Sequence, residues 1–109
     1  MGILASIALP SYSAHVRQSV ARQGALCLLG YSLLQERWRV ASGEYQPAEV
    51  LLTHRSLPTR VRQHYSLFVD LSEPATGFAL SLEPTDPSAG YPVVRLESTG
   101  LRTPASVWP

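Results

Sequence analysis

From Tyr12 to Ala41 the apolar positions Val16, Val20, Cys27, Tyr31, Leu34, Trp38 and Ala41 fall at spacings of four, seven, four, three, four and three, which is one face of an α-helix. Gly24 occupies the step that this series skips. Arg17, Gln18, Arg22, Gln35, Glu36 and Arg39 lie largely away from the stripe, while Leu26, Leu29 and Leu33 make a second apolar flank. The helix therefore has two apolar faces to cover. Tyr31, Leu34 and Trp38 are the bulkiest residues of the stripe and are expected beneath whatever packs on it. Gly24 and Gly30 inside the helix should each cost about 0.8 to 1 kcal/mol relative to Ala, which points to close packing against the backbone there. Ser42-Gly43 closes the pattern, with Gly43 at the C′ position where a left-handed residue is favoured.

Pro10 separates an apolar start from this helix, and a kink or a helix start is expected there because its ring removes a backbone donor. The helix is thus expected from about Ser11 to Ser42. Residues 43–64 hold Pro47 and Pro58 and show no sustained period, so they are expected to form a long loop with one short ordered piece around Val50 to Leu52. Tyr65, Leu67, Val69 and Leu71 alternate with Ser66, Phe68, Asp70 and Ser72, and Phe78, Leu80 and Leu82 alternate with Ala79, Ser81 and Glu83. These are two strands, joined by a hairpin at Glu73 to Gly77. A third run spans Pro92 to Glu97, with Pro92 confined to a strand start or edge. Residues 100–109 form a tail with Trp108 as its large anchor. The expected fold is α+β: a long N-terminal helix (1–42, kinked near Pro10), a connecting loop (43–64) and an antiparallel sheet with its tail (65–109). The sheet has three strands with room for a fourth, and all three segments make one domain. The sheet covers one helix face, and the other is left to meet another chain or a membrane.

Hydrophobic residues make up 45% of the 109-residue chain and charged residues 16%, which suits a folded domain and argues against disorder. The net charge of +1 hides an asymmetry: through His64 seven Arg face three Glu, and from Tyr65 onward two Arg face five acids. Every basic residue is Arg. The lone Cys27 allows no intramolecular disulfide and no metal site by itself. Met1 to Leu9 would rise only about 14 Å as a helix, about half a bilayer core.

Gly2-Ile3-Leu4-Ala5-Ser6-Ile7-Ala8-Leu9-Pro10-Ser11-Tyr12 resembles the second half of the type IV pilin N-terminal signature. Gln35-Glu36-Arg37-Trp38 and Gly43-Glu44-Tyr45 resemble the helix end and first loop turn of PilE-like minor pilins, and Arg95 to Gly100 with Val107-Trp108 resembles their closing strand and terminus. The resemblance implies a pilin-like fold and a subunit placed in the bacterial inner membrane by its full-length helix. It further implies trimming by a prepilin peptidase and handling by the pilus assembly machinery before the subunit joins the pilus at the cell surface, where it would support adhesion, twitching motility or DNA uptake. Ile3, Leu4, Ile7, Leu9, Pro10 and Tyr12 would then belong to the assembly helix, and Val16, Val20, Cys27, Tyr31, Leu34 and Trp38 to its core stripe. The family's leader and the first half of its helix have no counterpart in the chain as given, which by itself is expected to be soluble or peripheral to the membrane and unable to enter a pilus. Where the family commonly carries a cysteine pair, Tyr91, Pro92 and Val107 stand in the neighbourhood.

Catalytic patterns are weak. Gly30-Tyr31-Ser32 starts like a nucleophile elbow but lies mid-helix and lacks the second glycine. His15, His54 and His64 fit no metal-ligand spacing and are expected to face solvent or lie in loops. No enzyme activity, cofactor or small-molecule substrate is expected; the expected partners are other pilin subunits. Arg55, Arg60 and Arg62 in the connecting segment are candidates for an anion or for an acidic neighbour near Glu73, Glu83 or Asp86. The neighbour is favoured over DNA. A secretion-system pseudopilin and a pilus-borne module binding DNA or a surface are the alternatives.

Overall fold

The computed structural model describes the backbone of residues 2–71 and 77–108 and the side chains of 12–71 and 77–108. Helix α1 runs Gly2–Ser42, beginning N-terminal of the start expected near Ser11. The helix continues through Pro10, where a kink or a start was expected; the side chains of Ile3, Leu4, Ile7, Leu9 and Pro10, and most of the hairpin turn at Glu73 to Gly77, lie outside the described residues. α1 ends as anticipated: Gly43 takes φ +86°, and its N–H donates to the Arg39 carbonyl at 2.9 Å, capping an otherwise orphan acceptor.

Residues 43–64 are more ordered than their sequence suggests. They carry α2 (Ala48–His54) and the single turn α3 (Thr59–Arg62). Pro47 and Pro58, which look like breakers, each stand immediately ahead of a helix, where a missing backbone donor costs nothing. Strands β1 (Tyr65–Asp70), β2 (Ala79–Pro84), β3 (Val94–Glu97) and β4 (Arg102–Thr103) then form one sheet in the order β1-β2-β3-β4. All pairs are antiparallel, with Leu67 opposite Leu82 and Leu80 opposite Leu96. The period-2 alternation sends Leu80, Leu82, Val94 and Leu96 to one face, where they are buried with α1. This is the α+β, pilin-like arrangement that the sequence pointed to, with the fourth strand present.

The helix face under the sheet is rotated from the stripe read in the sequence. The fully buried apolar residues of α1 are Val20, Ala21, Ala25, Leu28 and Tyr31, while Val16, Cys27 and Leu34 are only partly buried at the margins of the core. The reason is steric. A Cβ on Gly24 would lie 2.7 Å from Leu82 Cδ1, so the sheet approaches where Ala21, Gly24 and Ala25 keep the helix thin, and larger side chains are displaced to either side. Trp38, expected beneath the sheet, is half-buried and meets His54 of α2 edge-on with ring centroids 5.4 Å apart. Leu26 and Leu33 of the second flank remain exposed.

Gln35 departs furthest from its sequence pattern. It is completely buried, and its amide brackets the backbone of Gln46: Nε2 donates to the Gln46 carbonyl at 2.8 Å, and the Gln46 N–H donates to Oε1 at 2.6 Å. The amide thus imitates a strand and ties the segment after α1 back onto the helix. The tail is held by Val107, which is buried, and by Gln18 Nε2 donating to the Ser106 carbonyl at 2.8 Å. Trp108, the anticipated anchor, is half-buried beneath the Arg102 guanidinium, with Nε1 donating to Thr103.

Candidate functional site

Among the described residues, two surfaces bear on function once the core is accounted for. The first is the outward face of α1. Leu26, Leu33 and Val40, seven residues apart, are 58%, 66% and 87% exposed. A seven-residue apolar repeat on a helix suits packing against another helix. Cavities of about 300 Å³ and 420 Å³ open along it, the first between Arg22, Leu26, Val107 and Trp108, the second between Leu33, Glu36, Arg37 and Val40. Tyr12, nearer the N-terminus, is also exposed. Among the described residues no helix is long and apolar enough to cross a membrane.

The second surface is the segment from Arg55 to Arg62. The three arginines are exposed, and none has a carboxylate partner among the described residues; an ion pair of Arg95 with Glu97 at 3.3 Å lies on the sheet. Two of them have different surroundings. Arg55 folds back on α1, its guanidinium against Gly30. Arg62 lines a crevice of about 390 Å³ with Leu52, Ser56, Leu57, Tyr65, Ser66 and Leu67, on the β1 side. Arg60 stands on α3 between them in sequence. Of the acids proposed as their neighbours, Glu83 and Asp86 are exposed and Glu73 lies outside the described residues.

Arg55 is held by its backbone as well. It ends α2, donating its N–H to the Leu51 carbonyl at 2.9 Å, and its own carbonyl accepts the hydroxyl of the buried Tyr31. Burial pushes the Tyr31 phenol up to about 12, helped by the adjacent Cys27 and opposed by the Arg55 charge. Cys27 is partly buried, and burial raises its thiol, again against the pull of Arg55, which disfavours the reactive thiolate. Neither the seat of Arg55 nor the Gln35 clamp was identified from sequence; the one visible signal was a second glycine inside a helix.

His15 and His54 are exposed, as expected, and His64 is half-buried. His54 meets Trp38, and His64 stacks on Tyr91 with centroids 4.4 Å apart and planes 18° from parallel. Among the described residues no cluster of His, Cys, Asp or Glu could hold a metal ion.

A family model described as type IV minor pilin ComP, DNA uptake sequence receptor, matches residues 10–91. No curated protein and no solved structure matches the chain.

Proposed function

The chain belongs to the type IV minor pilin family, and from that premise we propose that it is a pilus subunit that binds DNA through Arg55, Arg60 and Arg62 while the outward face of α1 packs against neighbouring subunits. The observation that carries the DNA reading is the exposure of these three guanidiniums, none of which has a carboxylate partner among the described residues. Phosphates follow one another along a strand, so cations spread over one segment can each meet a different phosphate and release its counterion. The description of the family as a DNA uptake sequence receptor points the same way. DNA uptake is therefore the pilus activity assigned, in place of the neighbour contact favoured by the charge pattern alone. Placement in the inner membrane by the full-length N-terminal helix and handling by the assembly machinery belong to the same proposal.

The test is the salt dependence of binding to a mixed-sequence DNA duplex. Replacing all three arginines with Ala should flatten the slope of log affinity against log salt by about 2.7 units, at roughly 0.9 per phosphate contact. An unchanged slope would remove the reading. The charge asymmetry along the chain supports a second one, in which the arginines meet an acidic neighbouring subunit. It expects Arg→Glu at all three positions to block filament incorporation, with rescue by reversing Glu83 and Asp86.

A further inference from the structure

We propose that Gly30 is a positioning residue for DNA binding: its missing side chain makes a seat on α1 that holds the Arg55 guanidinium in a fixed place. This rests on the reading of Arg55 as a phosphate contact.

The argument starts from a contrast between the two glycines of α1. Gly24 has a reason in the core, since its nearest neighbour is Leu82 of the sheet. Gly30 has none. The closest atoms that a Cβ there would meet all belong to Arg55: Nη1 at 2.8 Å, Cζ at 2.9 Å and Nε at 3.4 Å. Separations under about 3 Å are repulsive, so no other residue at position 30 leaves the guanidinium where it is. A glycine in a helix interior is disfavoured, and at this position no sheet or core side chain requires it.

The neighbouring residue completes the seat. Tyr31 donates its hydroxyl to the Arg55 carbonyl, so consecutive residues of α1 fix the backbone and the side chain of the same arginine. The cation is thereby set in the frame of α1, the element through which the subunit meets the filament, rather than in that of a flexible loop. An arginine ordered before binding loses less side-chain freedom when it meets a phosphate.

The experiment uses the whole chain and a mixed-sequence DNA duplex with Gly30→Ala, Gly30→Leu, Arg55→Ala, Arg60→Ala and the double variants. Arg55→Ala should weaken binding about tenfold, the scale of one charge-assisted hydrogen bond, and flatten the salt slope by about 0.9. Gly30→Leu should approach both effects and add nothing to Arg55→Ala, while combining additively with Arg60→Ala. Gly30→Ala raises helix propensity, so it should fold at least as well as the parent yet still weaken binding. In NMR relaxation the Arg55 Nε–H should be ordered in the parent and averaged in both Gly30 variants, a readout that does not depend on DNA. If that signal is already averaged in the parent, or if Gly30→Leu remains additive with Arg55→Ala, the seat is refuted while DNA binding stands. If no arginine variant alters the slope but the NMR contrast holds, the DNA reading falls and Gly30 positions Arg55 for another partner.

Discussion

Gln35→Ala is expected to be among the most damaging single changes outside the apolar core. Two hydrogen bonds to the Gln46 backbone would go, at about 1 kcal/mol each net, and loss of the side-chain stem adds about 0.8 kcal/mol for a buried methylene. Gln46 is half-buried, so water can reach its freed backbone groups in part and the full desolvation penalty is not expected. The sum is about 3 kcal/mol. With a urea dependence of roughly 2 kcal/mol per molar for a chain of this size, the unfolding midpoint should fall by about 1.5 M. Gln35→Met preserves the stem and removes only the hydrogen bonds, so it should lose about 2 kcal/mol. Amide exchange at Gln46 should quicken in both variants before any global change. A loss under about 0.5 kcal/mol for Gln35→Ala, the range of surface substitutions, would show that the clamp holds nothing.

Gly24→Leu should destabilise by about 1 to 3 kcal/mol through overpacking against Leu82, measured by thermal unfolding; a gain in stability would mean that the sheet can retreat. Trp38→Ala should cost about 2 kcal/mol in denaturant unfolding rather than the roughly 3 to 5 of a fully buried aromatic, because the ring is half-buried against His54; a loss above about 4 kcal/mol would place it in the core after all. Burial raises the phenols of Tyr31 and Tyr65 from 10.0 to about 12, so both stay neutral in the fold while the unfolded chain ionises first. The stability they contribute is complete below about pH 10 and should be lost as pH climbs towards 12. Phenolate absorbance followed across that window checks it, and titration of all the tyrosines near 10 in the folded chain would contradict it.

What was legible in the sequence was set by local rules. The change from a helical period to a period of two fixed where α1 stops and the sheet begins, because each backbone repeat turns side chains by its own fixed angle whatever packs on them. Gly43 marked the helix end for a similar reason, since a left-handed cap is cheap only for glycine. The N-terminal signature pointed to the family before any fold was known. Tertiary structure decided what those rules leave free. Which side of α1 lies under the sheet depended on how close the strands can come, and the small residues around Gly24 won over the larger stripe ending in Trp38. Gln35 looked like a surface residue until a backbone segment eleven residues away was brought beside it. Pro47 and Pro58 broke the sequence period yet open α2 and α3, whose few turns are kept by burying Leu51 and Val61. The seat of Arg55 joins positions 30 and 55 across two elements, and no periodicity within either element could announce it, because the contact exists only once α2 has docked on α1.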